Sequence, residues 1–155
     1  RPRDTNKQWE ARIAHGVFKI SGSDPQTYLK VWAAFQASGH SYDWTRENWL
    51  NYKRLQEIGN IRSQIIHLLK RCRIEITSNG KDREVDKAVA LGLAYNLFGH
   101  AGRNTYDAVA RDCENVFIHP GSACFDRFSP RWMVCGSIMR TSKTYASTCT
   151  EVDVE

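Results

Sequence analysis

Few side chains in this sequence are spaced for chemistry. His119 and Cys124 stand five residues apart and could imitate a base beside a nucleophile, but no third group is placed to orient either. The other histidines (His15, His40, His67 and His100) are far apart, and none sits at ligand spacing from a carboxylate. The five cysteines, Cys72, Cys113, Cys124, Cys135 and Cys149, are odd in number and include no C-x-x-C pair. That argues against a disulfide framework and a zinc site, and for buried reduced thiols in an intracellular protein. No phosphate-binding G-x-x-x-x-G-K-[ST] loop, G-x-G-x-x-G, H-E-x-x-H or G-x-S-x-G string occurs. Binding chemistry is what remains. Trp44, Trp49, Tyr52, Trp132 and Tyr145 have π-faces on which bases can stack, at about 1–3 kcal/mol per base. Trp49 and Trp132 read first as core residues, whereas Tyr145, beside Lys143 in an expected hairpin turn, suits either role.

Charge is unevenly distributed. Residues 1–81 carry 14 Lys/Arg against 7 Asp/Glu, a net of +7; residues 82–155 carry 8 against 10, a net of −2. A basic first half fits phosphate binding, since each neutralised phosphate releases condensed counterions. It equally fits a solvated basic helix face. At 155 residues the chain has room for one ordinary domain or two small lobes. No apolar run approaches the roughly 18 residues of a membrane span. The polar opening Arg1-Pro2-Arg3-Asp4 lacks a signal peptide's apolar centre and reads as a cut within a longer protein.

The elements that must position these residues fall into two kinds. Thr5 opens a helix to about Ala14, with Trp9 and Ile13 one turn apart. Asp24-Pro25 is expected to start the next, with Asp24 as N-cap and Pro25 at the first helical position. Tyr28, Leu29, Val31, Trp32 and Phe35 follow at helical spacing, and Gly39 ends that helix. A short helix over 43–50 precedes a long one over 52–73. The long helix bears a stripe of Leu55, Ile58, Ile61, Ile65, Leu68 and Cys72, and its Gly59 implies close packing. After a turn at 78–81, Asp82 is expected to cap a helix reaching Phe98. Gly99-His100-Ala101-Gly102 then reads as a break, followed by β-like runs over 105–110, 115–119, 132–141 and 145–153. The expected fold class is α+β, a helical bundle over 1–98 followed by a small antiparallel β-barrel over 99–155.

Seven strings in this order resemble the C-terminal region of DEAH-box ATP-dependent RNA helicases. Ser23–Leu29 resembles S-D-H-L-T-L-L, and Trp44–Tyr52 resembles W-C-x-x-N-F-I-N-Y. Asn60–Ile65 resembles N-V-R-x-Q-L, and Lys87–Leu93 resembles K-A-L-x-x-G-F. Ile118–Ser122 resembles the H-P-S-S turn, Arg131–Val134 resembles P-E-W-V-V-Y, and Thr141–Tyr145 resembles T-T-K-x-Y. Pro25-Gln26, Thr45, Gly59 and Gly121 depart from the family pattern. The resemblance implies a ratchet-like helical region and an OB-fold that together close a single-stranded RNA channel over RecA-like motor domains of the same chain. It also implies an activating partner of the G-patch type, and a nuclear in preference to a cytoplasmic location. This stretch would be noncatalytic: it contains no D-E-A-H string, and ATP and Mg would belong to the motor domains. By position, the resemblance assigns RNA contact to Asn51, Lys53 and Arg62 and to Thr141, Ser142, Lys143 and Tyr145. Arg62 and Lys143 would meet phosphates, and Thr141 and Ser142 would donate to phosphate or 2′-OH. Competing roles are open: Asn51 can cap the long helix, Arg62 can pair with Glu57 or Asp86, and Lys143 can simply be solvated.

Overall fold

The computed structural model describes residues 5–77, 80–125 and 129–153. The opening Arg1–Asp4 and part of the expected 78–81 turn lie outside them. Among the described residues five α-helices precede five strands: α1 (Thr5–Gly16), α2 (Asp24–Ala37), α3 (Tyr42–Glu47), α4 (Tyr52–Arg71) and α5 (Asp82–Gly92), then β1 (Leu97–Gly102), β2 (Thr105–Ala108), β3 (Val116–Ile118), β4 (Trp132–Arg140) and β5 (Thr144–Glu151). The chain forms two compact units, one of Arg1–Phe18 with Lys30–Gly80 and one of Lys19–Leu29 with Lys81–Glu155. The sequence reading divided the chain once, after residue 98. The observed division differs because α5 packs on β4 and β5, and because the segment entering α2 is hydrogen-bonded into the barrel unit.

In the first unit, aromatic rings gather around Phe35, which is 1% exposed and has Trp32, His40, Trp44 and Tyr52 as ring neighbours. Gly59 packs closely against α2: a Cβ there would stand 3.2 Å from the Trp32 indole. Asn51 caps α4 through its side chain, which accepts from the Arg54 N–H. Ser41 caps α3 in the same way. At the other end of α3, Leu50 N–H reaches the Thr45 carbonyl and Trp49 N–H the Arg46 carbonyl, a Schellman closure. Trp49 therefore takes a left-handed backbone, φ 56°, and its side chain is 41% exposed, not part of the core as expected. Leu55 is buried, but Ile58, Ile61, Ile65 and Leu68 of the same α4 stripe are about half exposed.

The second unit is a closed barrel in the order β1-β2-β3-β5-β4, with β4 returning to β1. Every pairing is antiparallel except β3 with β5, and this is the OB-fold topology. Its core contains Phe98, Tyr106, Val116, Ile118, Met133 and Ala146 together with Cys124, Cys135 and Cys149.

Strand β1 lies where the sequence suggested a glycine break, and the helix expected to reach Phe98 ends at Gly92. The glycine is explained by its partner. Gly99 pairs with Trp132, and a Cβ at 99 would come within 2.8 Å of the indole ring. Only a bare Cα lets the ring lie across the strand.

The start of α2 also differs from expectation. Ser23, not Asp24, is the cap: its hydroxyl accepts from Gln26 N–H and its carbonyl from Thr27 N–H. Asp24 thus sits in the first turn with its carboxylate free to leave the helix. It is 4% exposed and accepts from Ser122 Oγ, Ala123 N–H and Cys149 N–H, all at 2.6 Å. Asp86 of α5 receives Ser23 Oγ at 2.7 Å and also Gln26 Nε2. Likewise, Lys81 precedes α5 as its cap, with Asp82 one position inside.

Candidate nucleic-acid interface

On the barrel, the parallel pairing of β3 and β5 sets Phe117 directly beside Tyr145. Val116 and Ile118 point into the core, so alternation turns Phe117 to the outer face. The Phe117 and Tyr145 ring centroids are 6.3 Å apart, and the His119 ring stands 5.8 Å from Tyr145. The β4–β5 turn adds Lys143, whose Nζ lies 4.4 Å from the Phe117 centroid. Thr141 N–H donates to the Lys143 carbonyl at 2.9 Å, which holds this turn closed.

A cavity of about 410 Å³ opens beside these rings, within the usual range for small-ligand pockets. Arg103, Asn104, Phe117, Phe125, Lys143 and Tyr145 contribute to its wall. Arg103 and Asn104 form the β1–β2 turn with φ of 50° and 64°, the two left-handed residues of a type I′ hairpin. Arginine is an uncommon occupant of that conformation. OB-folds generally bind oligonucleotides on strands 2–3 and the loops joining β1–β2 and β4–β5, and this cavity lies among those elements.

The seven sequence-assigned residues separate. Thr141, Ser142, Lys143 and Tyr145 come together on the barrel. Asn51, Lys53 and Arg62 lie on α4 of the other unit. Lys53 and Arg62 are nine residues apart, about 900° of helical rotation, so they project from opposite sides of α4. Asn51 is engaged as the helix cap. The alternative partners of Arg62 are otherwise engaged, Glu57 by Arg54 at 2.9 Å and Asp86 by Ser23 and Gln26. Sequence reasoning missed Phe117, Arg103, Asn104 and Phe125. A four-residue Gly-Arg-Asn-Thr turn between short β runs was the available signal for two of them.

The His119–Cys124 pair has no nucleophilic character. Burial, helped by the Asp24 carboxylate, pushes the Cys124 thiol up to about 12. His119 Nδ1 accepts the Gly121 N–H at 3.0 Å. All five cysteines are free thiols. No helix among the described residues is long and apolar enough to cross a membrane.

Barrel topology defines an OB-fold, and comparison with known proteins agrees. Residues 85–155 match the family described as "Oligonucleotide/oligosaccharide-binding (OB)-fold", OB_NTP_bind. The chain is 28% identical over 149 residues to "Probable ATP-dependent RNA helicase DHX35" of Pongo abelii, covering 96% of this chain and 21% of the relative. It is 27% identical over 149 residues to the protein of the same description from Homo sapiens, with the same coverage. The chain is thus similar over nearly its whole length to part of these helicases, and it spans about a fifth of their length.

Proposed function

We propose that this chain is a noncatalytic accessory region of an ATP-dependent RNA helicase that holds single-stranded RNA against the outer face of its OB-fold. The observation that carries the reading is the convergence of Lys143, Arg103, Phe117 and Tyr145 around one cavity at the loops that OB-folds use for oligonucleotides. Aromatic faces take bases and the two cations take phosphates, without a base-edge code, so binding has little sequence preference. In the whole protein this face would help close the RNA channel during RNA or ribonucleoprotein remodelling. ATP and Mg would be held by the RecA-like motor domains, for this chain has no glycine-rich phosphate loop. Arg62 and Lys53 would give α4 one cation on each of two sides, of which one at a time can follow a given strand. A nuclear site of action follows from the same family reading.

A second role has its own support. The half-exposed Ile58, Ile61, Ile65 and Leu68 along α4 suit packing against motor domains of the same chain. Docking of a G-patch-type activator at the OB-fold and its surroundings is the rival reading.

The test is a fluorescence-anisotropy titration with a single-stranded RNA decamer at several salt concentrations. Affinity should fall steeply with salt, and Lys143→Ala should reduce the slope of log K against log[salt] by about one. An affinity indifferent to salt would remove the phosphate contacts. Tight binding of an activator that survives both Lys143→Ala and Arg62→Ala, without RNA binding, would move the function to protein docking.

A further inference from the structure

The Phe117 ring is already covered in the free protein: the Lys143 ammonium sits 4.4 Å from its centroid. We propose that Phe117 and Lys143 form a self-capped stacking platform, which opens only to a ligand offering an unstacked base and an adjacent phosphate together. This inference rests on the RNA-binding reading above and specifies what that site selects.

The argument begins with the two strands. Register fixes Phe117 beside Tyr145, and the closed β4–β5 turn brings Lys143 over the ring from one side. Lys143 is exposed and Phe117 half-buried, so the ammonium can leave without disturbing the core around Val116 and Ile118. A base arriving alone would have to displace the ammonium from the π-face and leave it without a partner. A phosphate arriving alone could draw Lys143 away only by uncovering an aromatic face to water. A nucleotide exchanges both contacts at once: the base takes the ring and the phosphate takes the ammonium. Base stacking and phosphate pairing are thereby coupled through one lysine. Arg103, which also lines the cavity, is a second cation for the flanking phosphate. The ligand class selected is single-stranded nucleic acid with a base free to leave its stack, in preference to a paired helix or a bare polyanion.

Three decameric probes separate the contacts: RNA, an abasic phosphodiester, and a neutral methylphosphonate strand that keeps its bases. Each is titrated at low salt against wild type, Lys143→Ala and Phe117→Leu, with barrel amide exchange recorded to show that both variants keep their fold. Lys143→Ala should weaken RNA binding but tighten the methylphosphonate strand about two- to fivefold, the worth of an exposed cation–π cap. Phe117→Leu should weaken RNA about 5- to 150-fold and leave the abasic strand unchanged or slightly tighter. The reversal of sign between RNA and methylphosphonate is the signature of exchange. If Lys143→Ala leaves the methylphosphonate strand unchanged or weaker, or if Phe117→Leu leaves RNA unaffected, the platform is overturned while RNA binding stands. If wild type binds neither RNA nor the abasic strand, the RNA-binding reading falls and the platform falls with it.

Discussion

Replacing Asp24 should unfasten the barrel unit by an amount that can be worked from its contacts. The carboxylate accepts Ala123 N–H on Oδ1 and both Ser122 Oγ and Cys149 N–H on Oδ2, and all three donors belong to buried residues. Asp24→Ala leaves the two backbone donors without partners, at about 1–3 kcal/mol each. Ser122 Oγ keeps its bond from Cys124 N–H, so it adds less. Against this stands the relief of burying a carboxylate with no cation among its hydrogen-bond partners. The net expectation is a loss of about 3 kcal/mol, or roughly 10–20 °C in Tm for a unit of this size. Asp24→Asn can retain both Oδ2 bonds through its amide oxygen but must aim its NH₂ at Ala123 N–H, so it should recover about half of the loss. Ser23→Ala removes the cap bond to Gln26 and the bond to Asp86, which keeps Gln26 Nε2, and should cost about 1–2 kcal/mol. Denaturant unfolding combined with hydrogen exchange at Ala123 and Cys149 measures all three. The reasoning is refuted if Asn is as damaging as Ala, or if exchange at those two amides stays at the wild-type rate in Asp24→Ala.

Other consequences are as specific. Gly99→Ala drives a Cβ into the Trp132 ring and should cost about 1–3 kcal/mol, read as a lower urea midpoint with altered Trp132 near-ultraviolet dichroism. Thr148 holds a φ of 55°, strained for a β-branched residue, so Thr148→Asn should raise stability by about 1 kcal/mol, visible as a Tm increase of several degrees. Burial raises the thiols of Cys124 to about 12 and Cys135 to about 11, and raises Cys149 as well. Their folded pKa values thus exceed the unfolded ones, so their contribution is intact below the unfolded value and lost as pH rises. Between about pH 9 and 11 stability should fall by up to about 1.4 kcal/mol per pH unit for each thiol; a flat urea midpoint across that range would contradict it.

Much of the fold was legible where local pattern and tertiary packing agree. The helical period of α4 and the cap at Asn51 follow from local rules, and the close approach that Gly59 implied is met by the Trp32 indole. Strand β1 was hidden because its composition, Leu-Phe-Gly-His-Ala-Gly, carries little β preference; its pairing with Trp132–Val134 makes it a strand. Ser23 and Asp24 are both good caps, and Pro25 locally favours Asp24 by suiting the first helical position. What decides is the trio of donors near residues 122 and 149, about a hundred residues away. The same holds for the candidate site. Thr141–Tyr145 are neighbours in sequence and were found together, whereas Phe117 and Arg103 join them only once the barrel is closed.

The parallel pairing of β3 with β5 also dictates when the barrel can fold. As the chain leaves the ribosome, β1, β2 and β3 emerge first, but β3's outer edge and β1's outer edge stay unpaired until β5 and β4 exist to cover them. The Asp24 carboxylate waits longer still for Cys149, 125 residues downstream. Barrel closure is therefore a late event of high contact order, and a nascent chain stalled before β5 exposes strand edges open to mispairing with other chains.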